Sequence, residues 1–279
     1  MSKINDKIVP FFMYGTAWKE DRTENLVFQA LQSGFRAIDT ANQRKHYYEE
    51  GVGKGIGRFL EGSELDRKDL FIQTKFTYQG GQDHRLPYDP KADFSTQVEQ
   101  SFQSSLEHLK IDFLDSYVLH GPSTSRGLHK RDFEVWKAME KLHTDGVAHH
   151  IGVSNINPEQ LKLLLDKAEV KPEFVQNRCY AQLGWDKIVR EICKSHDIIY
   201  QGFSLLTANR SYIVDPRVKQ IADVHGLTIQ GTIFSFAKQI GILPLTGTTN
   251  EDHMTKDLAE LNYELTEDEI RKIEKIANN

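Results

Sequence analysis

The chain has 279 residues, of which 39% are hydrophobic and 27% are charged, and its formal net charge is −5. Because dedicated nucleic-acid-binding proteins usually carry a basic excess, this balance argues against that class. No apolar run approaches the ~20 residues of a membrane-spanning helix, and the N-terminus lacks the apolar core of a signal peptide. Cys179 and Cys193 form no CxxC motif. We therefore expect a cytoplasmic, metal-free protein that binds neither nucleic acid nor membranes.

Short apolar runs alternate with amphipathic segments along nearly the whole chain. The runs that predict strands are FMYGTA, FRAID, LFIQTKF, FLDSYVLH, HHIGVSN, EFVQNR, IIYQGFS and ILPLTG, which begin at residues 12, 35, 70, 113, 149, 173, 198 and 242. Apolar residues at i, i+3 and i+4 predict helices between them. These helices are Leu26–Ser33, Glu49–Leu60, Phe94–Leu109, Phe133–His143, Pro158–Asp166, Trp185–His196 and two between residues 215 and 240. A last helix begins at Thr266, which forms a capping box with Glu269.

The alternation of strands and helices predicts βαβ units and therefore a parallel sheet. Eight such units in 279 residues favour a closed (β/α)8 TIM barrel over an open sheet. No linker-like or low-complexity tract divides the chain. We therefore expect a single barrel domain over residues 1–279, with a short N-terminal segment before the first barrel strand.

Ionisable residues stand at or near the ends of three consecutive predicted strands: Asp39, Lys75 and His120. In a TIM barrel the active site lies at the carboxyl ends of the strands. Taken singly, Asp39 could cap the next helix and His120 could be a satisfied core histidine. A lysine in an apolar strand is costly to bury without a partner, so the three residues together predict a coupled titrating cluster.

Several motifs, in this order along the chain, resemble the aldo-keto reductase superfamily. GFRAIDTA…EEGVGKGI is similar to the signature of its second strand, and SFQSSLEHLKIDFLDSYVLHGP and GVAHHIGVSNINPEQL are similar to its later motifs. The opening YGTAWK resembles its G-T-W-K. The resemblance covers essentially the whole chain. It implies a (β/α)8 barrel that binds a nicotinamide dinucleotide without a Rossmann fold and reduces aldehydes or ketones to alcohols with hydride from NAD(P)H.

The resemblance also implies four catalytic residues: Asp39, Lys75, His120 and a tyrosine in the loop after the second strand. A free tyrosine has a pKa of about 10, and a nearby ammonium lowers it by stabilising the phenolate. Lys75 would supply this charge, Asp39 would hold Lys75 charged, and His120 would donate to the carbonyl oxygen. The loop is about two residues longer than the family pattern, so the motif leaves two tyrosines open. We predict that Tyr47 is the proton donor and that Tyr48 packs beside the substrate.

By the same resemblance, the cofactor would contact the ends of several strands. Ser154, Asn155 and Asn177 would bond the nicotinamide carboxamide, and Phe203 would stack on its ring. Asn177 is chosen because the family pattern N-Q is inverted to Q-N here. The other predicted cofactor-binding residues are Thr16, Ser204, Leu206, Thr246, Gly247, Thr248, Thr249 and His253. The predicted substrate-binding residues are Trp18, Tyr48 and Tyr180, with Trp185 on the same pocket wall.

The eighth strand departs most from the family pattern. NADPH-selective members carry a lysine and an arginine that clamp the 2′-phosphate, whereas this chain has Thr246 at the lysine position and Asp252 or His253 at the arginine position. Thr248, Thr249 and backbone N–H groups could still hold a phosphate, without bidentate recognition by arginine. NADPH is the family default, and NADH or dual use stays open.

A non-catalytic nicotinamide-binding barrel, acting as a sensor or regulatory subunit, is the alternative function. The retained Asp39, Lys75 and His120 argue against it. We expect a small-molecule carbonyl substrate and a monomer, which is the family default. The chain ends about one helix after the eighth strand, so we also expect an open substrate pocket.

Overall fold

A closed barrel of eight parallel strands forms the centre of the molecule, which confirms the predicted TIM-barrel fold. The computed structural model describes residues 2–4 and 7–277. Before the barrel, β1 (Ser2–Ile4) pairs antiparallel with β2 (Lys7–Val9). The barrel strands are β3 (Met13–Gly15), β4 (Ala37–Asp39), β5 (Phe71–Phe76), β6 (Leu114–Leu119), β7 (Ala148–Ser154), β8 (Phe174–Arg178), β9 (Ile199–Phe203) and β10 (Ile242–Thr246). They pair in chain order, and β10 closes the barrel on β3.

The helices follow the predicted alternation with the strands. Within residues 7–277 they are α1 (Thr23–Gln32), α2 (Glu49–Glu61), α3 (Phe94–Leu109), α4 (Lys130–Thr144), α5 (Pro158–Lys167), α6 (Lys187–Ser195), α7 (Arg210–Ile213), α8 (Pro216–His225), α9 (Ile229–Gln239), α10 (Glu251–Glu260) and α11 (Glu267–Glu274). Trp185 and Asp186 have φ angles of 58° and 57°, so α6 begins at Lys187 and not at Trp185. The sequence did not predict α10, because this helix is mostly polar and buries only Met254 and Asp257. No helix in this part of the chain is long and apolar enough to cross a membrane.

Side chains of the barrel strands alternate between the interior and the surrounding helices. In β5, Phe71, Gln73 and Lys75 point into the barrel. Ile72 and Phe76 belong to the core between the strands and the helices. A separate apolar cluster consists of Val9, Met13, Ala37, Phe71, Phe174, Leu243 and Leu245. At the amino-terminal ends of β5 and β8, Phe71 and Phe174 of this cluster lie against the buried ring of His150. Polar and charged side chains occupy the carboxyl end, which is where a TIM barrel carries its active site.

The helix α2 packs tightly on α3 through one of its glycines. A Cβ on Gly53 would lie 2.9 Å from the Cα of Leu109 and closer still to the carbonyl oxygen of His108. Only glycine permits so close an approach between the two backbones. At Gly57, on the same helix, a Cβ would meet no atom of the described residues within 4 Å apart from the backbone of α2 itself, so this position is free of the constraint.

The first residue of α2 is anchored by a buried carboxylate. Glu49 is 3% exposed and accepts hydrogen bonds from Ser105 Oγ at 3.1 Å and from Thr74 Oγ1. His108 Nδ1 lies 3.1 Å from its other oxygen. These contacts with α3 and β5 fix the start of α2 and therefore the end of the loop that carries Tyr47.

We expect Gly53→Ala to lower the free energy of unfolding by about 1–3 kcal/mol, because the added methyl group forces two backbones apart. Gly57→Ala is the matched control, and it should raise stability by about 0.5–1 kcal/mol because alanine loses less entropy in a helix. Urea unfolding measures both values. Equal effects of the two substitutions would contradict the close packing at Gly53.

We expect the contribution of His108 to stability to depend on pH. The hydrogen bond to Glu49 raises the pKa of His108, with burial opposing it. The stabilisation is therefore complete below the unfolded-state pKa of about 6.5 and is lost as the pH rises through the folded-state pKa. In urea unfolding, His108→Gln should cost more at about pH 5.5 than at about pH 9. A Glu49→Gln background should remove most of this difference, and equal costs at both pH values in the wild-type background would refute the assignment.

Candidate active site

A cavity of about 650 Å³ opens at the carboxyl ends of the barrel strands. The structure brings together there most of the residues that the sequence predicted for catalysis, cofactor binding and substrate binding. The predicted residues that line it are Trp18, Asp39, Tyr47, His120, Ser154, Asn155, Phe203, Ser204, Leu206, Thr246, Gly247, Thr248 and His253. Trp18 is 66% exposed and lies against the ring of His46, so it forms part of the cavity mouth.

An ion pair lies directly beneath the cavity. Lys75 is fully buried, and its Nζ donates to Asp39 Oδ1 at 2.6 Å and to the carbonyl oxygen of Thr40 at 2.7 Å. Burial lowers the pKa of Lys75, and the charge of Asp39 opposes this effect. The same Nζ lies 5.5 Å from the centre of the Tyr47 ring. Asp39, Lys75 and Tyr47 therefore lie together as one contiguous group.

Tyr47 lines the cavity, and its ring meets that of His120 edge-on with 5.9 Å between ring centres. Burial, followed by the charge of Asp39, raises the pKa of the Tyr47 phenol, while Arg178 opposes the rise. Burial and the charge of Asp39 outweigh the lowering that Lys75 was expected to cause, so the net shift of the Tyr47 pKa is upward. The phenol is therefore protonated at neutral pH.

His120 presents a neutral imidazole to the cavity. Burial, with smaller contributions from Lys75 and His46, lowers the pKa of His120 to about 3. Its Nδ1 lies 2.7 Å from Thr77 Oγ1. When this hydroxyl donates to Nδ1, the ring proton is on Nε2. A neutral ring in that tautomer can donate a hydrogen bond to a carbonyl oxygen in the cavity.

The amide predicted to contact the nicotinamide requires a correction. Asn177 points away from the cavity: its Nδ2 donates to the carbonyl oxygen of Ile156 at 2.8 Å and to Asp186 Oδ2 at 2.9 Å. Gln176, one residue earlier, lines the cavity because successive side chains of a strand face opposite sides. The Oε1 atom of Gln176 accepts no hydrogen bond from any described residue and is available to a ligand. Gln176, and not Asn177, is therefore the amide of β8 that faces the cavity.

Other predicted residues also lie outside the cavity lining. Thr16 is fully buried and donates to the carbonyl oxygen of Asp39, and Thr249 is exposed at the start of the α10 region. The ring of Tyr48 packs under the guanidinium of Arg44, 4.4 Å from its centre. Tyr180 is 36% exposed on the surface. Trp185 is a core residue that donates to a carbonyl oxygen of α11, so it does not form a substrate wall.

Three charged residues of the cavity were missed from the sequence. Lys19 donates to the carbonyl oxygen of Gly247, and burial lowers its pKa to about 8. Arg178 ends β8, and Asp257 is a buried carboxylate whose pKa burial raises to about 6. Lys19 ends the YGTAWK motif and Arg178 ends a predicted strand, so the sequence position of both residues could have indicated that they lie at the cavity. Asp257 carried none, because it belongs to the unpredicted α10.

Comparison with known proteins agrees with this geometry. The sequence model of the Aldo/keto reductase family matches residues 12–278. The chain is 30% identical to the glyoxal reductase of Bacillus subtilis, over 95% of this chain and 88% of that protein. It is 26% identical to the NADH-dependent D-xylose reductase of Candida parapsilosis, over 95% and 88% of the two chains. The crystal structure of an aldo/keto reductase from Brucella melitensis has a TM-score of 0.82 at 28% identity and covers 99% of this chain and 98% of its own. The chain therefore belongs to the Aldo/keto reductase family of NAD(P)H-dependent oxidoreductases.

Proposed function

We propose that this protein reduces aldehydes or ketones to alcohols with NAD(P)H and that Tyr47 donates the proton. The observation that carries the proposal is the placement of Tyr47. Its ring lies beside the Lys75 ammonium and against His120 inside the cavity, whereas Tyr48 packs on Arg44 outside it.

The residues of the cavity fit a nicotinamide. Gln176 Oε1 is an acceptor without a partner among the described residues, and Asn155 and Ser154 stand on the next strand end. Phe203 offers an aromatic face to the same space. These three strand ends would hold the carboxamide and the ring. When bound, the dihydronicotinamide supplies the hydride that the carbonyl carbon accepts.

The protein's own residues would manage the charge that develops on the carbonyl oxygen. Neutral His120 donates from Nε2 and orients this oxygen toward the phenol of Tyr47. The phenol is protonated at neutral pH, so it can transfer its proton to the oxygen as the negative charge forms. The phenolate left behind lies next to the Lys75 ammonium, which stabilises it in a site of low dielectric. In the oxidation direction the same phenolate would act as the base.

We expect Tyr47→Phe to lower kcat for aldehyde reduction by about 10²–10⁴, because general-acid catalysis is lost while the cavity keeps its shape. The decrease in dihydronicotinamide absorbance with 4-nitrobenzaldehyde measures turnover, and quenching of protein fluorescence measures cofactor affinity. Affinity should stay near the wild-type value.

Tyr48→Phe is the matched control, and it should keep most of the activity because this phenol lies outside the cavity. The opposite pattern would assign the proton to Tyr48. A wild-type protein that binds either cofactor but turns over no carbonyl would instead support a non-catalytic, cofactor-binding role.

We further propose that the protein uses both NADPH and NADH with little discrimination. His253 lines the cavity and Asp252 does not, so the position of the missing arginine is held by a histidine. Thr246, at the position of the missing lysine, is turned toward Asp257 at 3.0 Å. Lys19 supplies one positive charge beside Gly247 and supports phosphate binding without a bidentate clamp. The Candida relative is named as an NADH-dependent enzyme.

We expect His253→Arg to raise the NADPH/NADH ratio of kcat/KM by about tenfold, because a guanidinium adds a charge-assisted bond to the 2′-phosphate. Initial rates with each cofactor at a fixed aldehyde concentration measure the ratio. His253→Gln adds a polar side chain without charge and should leave the ratio within about twofold of the wild type. A wild-type ratio above about 100 would disprove dual use, since it needs a phosphate clamp worth about 2.7 kcal/mol.

A further inference from the structure

A layer of buried amides lies inside the barrel, directly below the ion pair. Gln73 on β5 and Gln201 on β9 are fully buried, and Gln176 on β8 is 3% exposed. Ser116 on β6 completes the layer and is also fully buried. Of these four residues, only Gln176 lines the cavity. The other three are buried beneath the cavity and do not line it.

Hydrogen bonds join these amides in a closed arrangement. Gln73 Nε2 donates to Gln201 Oε1 at 2.8 Å, and Gln201 Nε2 donates back to Gln73 Oε1 at 2.9 Å. Ser116 Oγ donates to the same Gln73 oxygen at 2.9 Å. Gln176 Nε2 donates to Gln201 Oε1 at 3.0 Å. Each amide oxygen of the central pair thus accepts two hydrogen bonds, and this fixes which end of each amide is oxygen.

One carboxylate oxygen connects this layer to the ion pair. Asp39 Oδ1 accepts from Gln73 Nε2 at 2.7 Å and from Gln176 Nε2 at 3.0 Å, in addition to Lys75 Nζ at 2.6 Å. Two amide dipoles therefore direct their positive ends at the carboxylate that faces Lys75.

We propose that Gln73 and Gln201 are positioning residues that couple the cofactor-binding amide of Gln176 to the Asp39–Lys75 ion pair. The inference rests on the proposed function, because it assigns Gln176 to the nicotinamide and Tyr47 to proton transfer. It has two parts, which concern the orientation of Gln176 and the electrostatic field at Tyr47.

The first part concerns orientation. Both N–H groups of Gln176 are used by Asp39 and Gln201, so its Oε1 is directed at the cavity. A free glutamine could rotate its amide and present N–H groups instead, which would repel the carboxamide N–H groups of a nicotinamide. Gln73 holds Gln201, and Gln201 holds Gln176 in the productive orientation. Cofactor affinity is therefore partly determined by two residues that never touch the cofactor.

The second part concerns charge. Asp39 raises the pKa of Tyr47, and amide N–H groups that point at Asp39 weaken its negative potential there. Removing the Gln73 amide leaves this potential less compensated. Proton loss from both Tyr47 and Lys75 then becomes harder, so the pH at which the donor is lost must rise.

The test uses the full-length protein with Gln73→Met, which keeps the side-chain length and removes the amide. The alkaline midpoint in the pH profile of kcat/KM for aldehyde reduction should move up by about half a pH unit or more. The dissociation constant of NADH or NADPH, measured by fluorescence, should rise about threefold to tenfold because Gln176 loses its orientation. Gln73→Met leaves Gln201 Nε2 without a partner, so the double variant Gln73→Met/Gln201→Met is measured as well.

Gln160→Met is the matched control. This amide is also buried, at 2% exposure, but it bonds loop carbonyl groups at the start of α5, outside the barrel. It should lower stability without moving the alkaline midpoint or the cofactor affinity. Wild-type midpoint and affinity in both the single and the double Gln73 variants would overturn the proposal. If the wild type reduces no carbonyl, the proton-transfer assignment fails, and the cofactor affinities alone decide the coupling between Gln73 and Gln176.

Discussion

The ammonium of Lys75 must have a partner inside the barrel, and the rest of the site is arranged around that requirement. The side chains of Lys75 and Asp39 are 0% and 6% exposed and lie 2.6 Å apart. Removing either partner would leave an uncompensated buried charge, which costs about 3–5 kcal/mol in comparable sites. The pair bridges β4 and β5, which are neighbours in the barrel, so closure of the sheet places it at the floor of the cavity. Burial raises the pKa of Tyr47 and lowers that of His120, and the charges of Asp39 and Lys75 add to these two shifts. Tyr47 and His120 are the groups proposed to contact the carbonyl oxygen.

The buried ion pair of Asp39 and Lys75 needs hydrogen-bonding neighbours. This explains why the barrel interior has a polar part next to the pair and an apolar part farther from it. The amino-terminal half is mostly apolar, with Phe71 and Phe174 packed around the imidazole of His150. Above it, Gln73, Gln176 and Gln201 replace the branched apolar residues that usually fill a TIM barrel. Buried amides are expensive unless every donor finds an acceptor, and these amides satisfy one another and the carboxylate. Directly beneath the proposed active site, an ordered layer of hydrogen-bonded amides therefore takes the place of apolar packing.

Much of this could be predicted from sequence, because alternation of strands and helices and the ends of strands are local signals. The barrel and the cluster of Asp39, Lys75 and His120 follow from such signals. The errors have physical causes. The choice of Asn177 over Gln176 was wrong, because Asn177 lies on the side of β8 that faces away from the cavity. Adjacent residues of a strand point to opposite sides, so an error of one residue exchanges inside for outside. The amide layer was invisible, because it depends on contacts between β5 and β9, whose partners Gln73 and Gln201 are 128 residues apart.

The two adjacent tyrosines show how tertiary contacts decide what a motif leaves open. The loop before α2 is tied to the neighbouring loop after β3 by a hydrogen bond from Trp18 N to the carbonyl oxygen of His46 at 2.7 Å. At its other end, the anchored Glu49 fixes the first turn of α2. Between these two fixed points, Tyr48 takes the position before the helix and packs outward, so the neighbouring Tyr47 turns into the cavity. Contacts made by the residues on either side of the two tyrosines thus decide which phenol lies near Lys75. The spacing of residues within the loop carries no information about these contacts.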